Sequence, residues 1–326
     1  MAVSRMHHLL CALISGALML VVPWPAGAQD AVRTPTRILL GFADDAGYVL
    51  AQLISGSIGT ATGRPVIVER KPGATGRIAA EALKNAAPDG ATLYLASIVV
   101  PVIAPLVFRH LSYDPAKDFA PVAQVATFRY ALVVSPNHPA TTGPEFVAWA
   151  KHEGQATFGT AGAGSIPHFF GLMIGQTTGT RMVHVPYKGA APVSADLMGD
   201  QIAAGIDSVG NFIDLHRAGR LRILATSGAE RSPLSPTVPT FREQGLAALD
   251  AVGWVALYAR AGTPKPLIDR LSAAVVAALR TPEIRDRFLG LGFEPTGTTP
   301  EELGAIMAAD TARWAPIIKA SGFTAD

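Results

Sequence analysis

Ser165, His168 and the glycines of the run FGTAGAGSIPH, Phe158 to His168, carry most of the chemistry that this chain offers. A serine three residues ahead of a histidine supplies the parts of a nucleophile and its base. The same Ser165 is a good helix cap, able to accept from the free amides of a first turn, with Pro167 where a missing N–H costs nothing. Gly159, Gly162 and Gly164 let the backbone turn sharply and let a ligand approach the main chain. Such a turn presents N–H groups at the positive end of a helix, which suits a carboxylate or another small anion. A strand-to-helix connection that binds nothing uses the same residues, so both readings stand on this stretch alone.

Other catalytic constellations are missing. The chain has no G-x-S-x-G elbow, no H-E-x-x-H and no Walker A run. GTAGAGS is not G-x-G-x-x-G, and no acid follows at the distance a ribose would need, so no dinucleotide cofactor is expected. Beyond the first 28 residues the histidines, at 110, 138, 152, 168, 184 and 216, have no metal-like spacing. His168, one turn into its helix, fits packing or capping better than a base, whereas His184 ends a strand and could touch a ligand.

These residues need elements to hold them. The first 28 residues read as an export leader, with Arg5, the apolar run Leu9 to Val22 and the small-residue site Ala26-Gly27-Ala28, so cleavage after Ala28 and a periplasmic location are expected. Cys11 leaves with that leader, and the remaining chain must hold by core packing alone. Charge is nearly balanced, 27 basic against 25 acidic residues, with no basic stripe for nucleic acid. Strand patterns at 36–41, 66–69 and 92–96 alternate with helices near 46–58 and 78–83, and a second α/β series begins at Ala131. From Pro264 the chain reads as three helical pieces, the last opening at Thr299-Pro300-Glu301-Glu302. The expected class is α/β with two lobes and mainly parallel sheets, residues 29–129 plus 252–326 forming one lobe and 130–251 the other. Ligands of open parallel sheets sit beyond the carboxyl ends of strands. The turns at 41–47, 70–77, 97–101, 160–166, 185–190 and 207–211 should therefore share a cleft, which brings Ser97 and Tyr187 into the candidate set.

Several segments together resemble one family, the periplasmic solute-binding proteins of tripartite tricarboxylate transporters, or Bug receptors. They are PVIVERKPGATGRIAAEALKNAAPDGATL at 65–93, YDPAKDFAPVAQVA at 113–126, FGTAGAGSIPH, HVPYKGAAPVSADLMGDQI at 184–202, and the segments 218–233, 254–271 and 282–302. The resemblance implies a type II, flytrap-like binding protein, expected as a monomer, that captures a small carboxylate and passes it to membrane subunits or to a sensor. It implies a carboxylate loop at 160–166, where Ala161, Gly164 and Ser165 act through backbone or hydroxyl groups, and it places Asp207 near the cleft. As a strand-end acid, Asp207 could equally cap the next helix.

The first-lobe loop departs from the family pattern. In GFADDAGY, Asp44 and Asp45 stand where two glycines would normally lie open to the ligand. A carboxylate ~5 Å from an anionic ligand costs roughly 3 kcal/mol at an effective dielectric near 20, against about 1 kcal/mol returned by a helix N-terminus. Either Arg77 neutralises one of these acids, or one contacts a ligand amine, or both cap the first helix and face solvent. Phe42, Tyr48, Ile98 and Val99 would make this side of the cleft apolar, favouring an aromatic or hydrophobic carboxylate, or a zwitterion, over citrate. Two other readings remain: a hydrolase using Ser165 and His168, and a receptor that has lost transport and serves as a sensor or scaffold.

Overall fold

A computed structural model describes residues 34–41 and 45–325; the expected leader, Phe42 and Asp44 lie outside them. The first series runs β1 (Thr36–Leu40), α1 (Asp45–Thr62), β2 (Val66–Arg70), α2 (Arg77–Lys84) and β3 (Thr92–Ser97). A π-helical turn at Val99–Ile103 leads into short α3 (Ala104–Val107) and α4 (Pro115–Asp118). Next come β4 (Phe119–Val134), α5 (Gly143–His152), β5 (Ala156–Thr160), α6 (Ile166–Thr178), β6 (Met182–Pro186), α7 (Ala190–Met198), β7 (Ala204–Ser208), α8 (Val209–Arg217) and β8 (Arg222–Thr226). The chain closes with β9 (Val252–Arg260), α9 (Lys265–Leu279), α10 (Pro282–Gly290), β10 (Glu294–Pro295) and α11 (Pro300–Ser321).

The strands order as β2-β1-β3-β9-β4-β7-β5-β6, with β8 and β10 also paired to β4. The α/β class holds, but the sheet is mixed rather than mainly parallel. β1 pairs in parallel with β2 and β3, and β5 with β6 and β7, as crossover helices require. β4 and β9 run antiparallel to their neighbours. They are the long strands that carry the chain from one half of the sheet to the other and back. β4 pairs with β9 over Phe119–Arg129, then with β7 and β8 from Tyr130 onward.

Helices seat on this sheet by their apolar stripes. Leu50, Ala51, Ile54 and Ile58 of α1 are fully buried, at the helical spacing that the sequence shows. α6 approaches β5 closely because Gly171 faces the Phe158 ring, which a Cβ would strike. α11 opens with a reciprocal capping box, Thr299 Oγ1 accepting from Glu302 N at 3.1 Å and Glu302 Oε2 from Thr299 N at 2.8 Å. Its Asp310 accepts from Trp254 Nε1 of β9 at 2.8 Å, tying the last helix to the centre of the sheet.

Candidate functional site

A cleft of about 580 Å³ opens where β4 and β9 pass between the halves of the sheet. Phe128 and Tyr130 of β4 and Val255 of β9 line it, with Leu291 to Phe293 at one end. Around it four helices begin. Ala46 and Gly47 belong to the first turn of α1, Ile166 and Pro167 to that of α6, Ala190 opens α7, and Ser208, Gly210 and Asn211 open α8. Each helix N-terminus carries roughly half a positive charge on its unpaired amides. Among the described residues no Lys or Arg lines the cleft, so main-chain dipoles supply its positive potential.

The turn after β5 is built to hold its amides in place. Ser165 Oγ donates to Gly162 O at 2.7 Å and accepts from His168 N at 3.4 Å. Its proton is therefore engaged within the turn. His168 Nδ1 accepts from Gly164 N at 3.2 Å, and the buried His168 does not line the cleft. Ser165 and His168 thus meet as a cap and a first-turn residue, not as nucleophile and base. Gly164 sits at φ +72°, where its α-hydrogen faces the Phe323 ring and a Cβ would come within 2.8 Å of it.

Behind this turn the imidazoles of His168 and His184 stack with centroids 3.9 Å apart. Thr160 Oγ1 lies 2.7 Å from His184 Nε2. Burial, and then the His168 ring, push His184 down to about 4, and burial lowers His168 as well, so both rings are neutral near pH 7.

The residues from Leu50 to Phe323 match the model of the tripartite tricarboxylate transporter family receptor. The chain belongs to that family. It is 34% identical over 297 residues to a UPF0065 protein of Bordetella bronchiseptica, covering 90% of this chain and 88% of that one. Among solved structures it resembles R. palustris Rpa4515 with adipate, at TM-score 0.75 and 29% identity, covering 89% and 99% of the two chains. MatC from Rhodopseudomonas palustris with bound malate matches at TM-score 0.71 and 28% identity, covering 87% and 98%. This is a family of periplasmic solute-binding receptors, and among the described residues no helix is long and apolar enough to cross a membrane.

Within this receptor the structure brings Ser97, Ala161, Ser165 and Asp207 to the cleft, beside Ile98 and Val99. Gly164 lines a neighbouring cavity. His184 lies behind the turn, and Tyr187 donates to Asp196 Oδ2 at 2.6 Å, with partial burial and that carboxylate raising the phenol to about 12. Asp207 is 8% exposed, its Oδ1 accepts from Ser208 N at 2.7 Å, and its Oδ2 has no hydrogen-bond partner. Burial raises its pKa, so the one acid among the described residues of the cleft lining is less readily ionised than a surface aspartate.

Of the two acids considered for Arg77, Asp45 does not pair with it, and Asp44 lies outside the described residues. Asp45 Oδ1 accepts from Arg70 Nη2 at 2.6 Å, and the Arg70 guanidinium lies 4.6 Å from the centre of the Tyr48 ring. Arg70 ends β2, whose register beside β1 brings it next to the start of α1. The Asp45 side chain is 91% exposed, so solvent and Arg70 remove the repulsion calculated for it. Tyr48 turns to Arg70 and does not line the cleft. Sequence alone places the 207–211 turn at the cleft, as found, but not the helix that this turn opens, and it gives no sign of Phe128 or Tyr130. For α8 the signal was present: Ser208 is a capping residue type ahead of Val209, Phe212 and Ile213, apolar at i, i+3 and i+4.

Proposed function

We propose that this receptor captures a small carboxylate-bearing solute in the cleft and delivers it to the membrane subunits of a tripartite transporter. One observation carries the reading: the N-termini of α1, α6, α7 and α8 converge on a single cavity whose described lining holds no basic side chain. Such a site receives a carboxylate through backbone N–H groups and helix dipoles. Leu50, Ile98, Val99, Phe128 and Phe293 supply apolar walls, which favour a carboxylate with an aromatic or aliphatic body, or a zwitterion, over citrate. The malate and adipate held by relatives belong to the same chemical class.

Residues 29–129 with 252–326, and residues 130–251, act as two lobes, and the solute favours closure because it touches both. The change of β4 partners at Arg129 and Tyr130 supports a hinge there. Export with cleavage after Ala28 would deliver the chain, as a monomer without a cofactor, to the periplasm. Micromolar binding corresponds to about 8 kcal/mol, within reach of a multiply hydrogen-bonded carboxylate with partial apolar burial. The test is a thermal-shift series of carboxylic acids against their primary amides. Dose-dependent stabilisation by acids alone is expected. Equal response to acid and amide, or no response to any acid, would overturn the reading.

A further inference from the structure

Past α11 the chain holds on to two separate parts of the molecule. Gly322, left-handed at φ +66°, ends the helix by donating to Lys319 O. Phe323 N donates to Ser321 Oγ at 3.1 Å, which fixes the start of the segment that follows. The half-buried Phe323 ring meets the His168 ring at 77°, with centroids 5.5 Å apart, and the Phe169 ring at 5.7 Å, both in the first turn of α6. It also covers the Gly164 backbone, where a Cβ would come within 2.8 Å of it. Two residues on, Ala325 N donates at 2.9 Å to the carbonyl of Val107, the last residue of α3. One short segment therefore joins the turn between β5 and α6 to a helix that follows β3.

His168 links that segment to the turn. Its Nδ1 accepts from Gly164 N at 3.2 Å, and its ring stacks on His184 at 3.9 Å. His184 Nε2 lies 2.7 Å from Thr160 Oγ1, which donates to Gly162 O at 3.0 Å. Phe323 thus completes a row of three rings behind the turn, outside the lining of the cleft. Beside the row is a second cavity, of about 340 Å³, lined by Val107, Phe108, Phe323, Ala325 and residues 161–165. That space leaves the ring somewhere to go, so its own contacts and the Ala325 anchor, not packing on every side, keep it seated.

We infer that Phe323 is a positioning residue for solute binding: anchored on α3, the segment 322–325 braces the 161–165 turn through His168, so that the turn meets an anion already formed. The inference rests on the receptor reading above. A turn that the solute has to order itself consumes part of the binding energy in that ordering, and a braced turn does not. The coupling is reciprocal: a solute on the turn holds the segment down by the same factor by which the seated segment tightens the solute.

Calorimetry with adipate, malate, benzoate and glutamate tests it, on the native protein and its variants at a temperature well below each melting point. For every acid that the native chain binds, Phe323→Ala should weaken binding about tenfold, and Phe323→Leu, which keeps apolar bulk at the site, should weaken it less. Ala325→Pro leaves the ring in place but removes the N–H that ties the segment to α3, and should weaken binding in the same direction. Without any acid present, the Gly164 amide of Phe323→Ala should exchange with solvent about tenfold faster than in the native protein, while the amides of β1 keep their native rates. Melting curves establish that the variants fold. A ring that only packs lowers the melting temperature and leaves the dissociation constants and the Gly164 exchange rate unchanged; that result would overturn the inference and leave the receptor reading intact. So would native affinity in Ala325→Pro, since the anchor would then carry no coupling. Binding of none of the four acids by the native protein would remove the receptor reading, and the inference with it.

Discussion

Replacing Ser165 by aspartate separates the two roles of the α6 N-terminus, because a carboxylate caps a helix as well as a hydroxyl does while occupying the charge that a ligand needs. Ser165 Oγ accepts from His168 N and donates to Gly162 O. Aspartate keeps the first bond and loses the second, a cost of about 1 kcal/mol. Its charge at the helix start returns roughly 0.3–1 kcal/mol, so the melting temperature should move by only a few degrees. Binding should respond very differently. A ligand carboxylate ~5 Å from the new charge meets roughly 3 kcal/mol of repulsion at an effective dielectric near 20, about a hundredfold or more in affinity. Physiological salt weakens this little, since the screening length is about 8 Å. Ser165→Asn is the control: a neutral cap of similar size, expected to bind within about tenfold of the native protein. Calorimetry on a carboxylate that stabilises the native chain reads the difference. Equal affinity in the Asp and Asn variants would refute placement of the ligand anion at this turn.

The His168 and His184 stack should make the fold acid-sensitive. With His184 at about 4 in the folded state, below its unfolded value near 6.5, the unfolded chain takes up the proton first. The stabilising contribution is then complete above about pH 6.5 and is lost as pH falls toward 4. Melting temperatures between pH 7.5 and 4.5 should show this decline, and His184→Gln should flatten it; an unchanged slope would contradict the assignment. At the junction of the sheet halves, Arg129 Nε and Nη2 each donate to Glu294 at 2.9 Å, with side chains 13% and 14% exposed. Glu294→Gln leaves that guanidinium without its counter-charge and should cost about 3 kcal/mol, lowering the melting temperature by roughly 6–12 °C; a shift under about 2 °C would show that the pair is screened by solvent.

Much of the site could be read from local chemistry. Ser165 caps α6, the apolar stripe of α1 lies on the sheet, and Thr299 with Glu302 forms its capping box, because each depends on neighbours within a turn or two. What escaped depends on partners distant in sequence. β4 is one strand of 16 residues, although Pro121 and register shifts near Pro121 and Gln124 break its alternation; antiparallel pairing with β9 holds it together. The antiparallel course of β4 and β9 has no local signature, so a mainly parallel sheet was the natural expectation from alternating strands and helices. Arg70 finds Asp45 through the register of β2 on β1, which a reading of the loop alone does not contain. Tyr187, placed at the end of β6, turns to Asp196 of α7 instead of the cleft.

The most direct measurement is a crystal structure of the mature chain with a carboxylate that raises its melting temperature. The account predicts the carboxylate oxygens about 3 Å from main-chain nitrogens between Ala161 and Ile166, with the rest of the solute against Ser97 to Val99. A solute bound elsewhere on the surface, or one that meets this turn through its apolar body while its carboxylate faces open solvent, would contradict it.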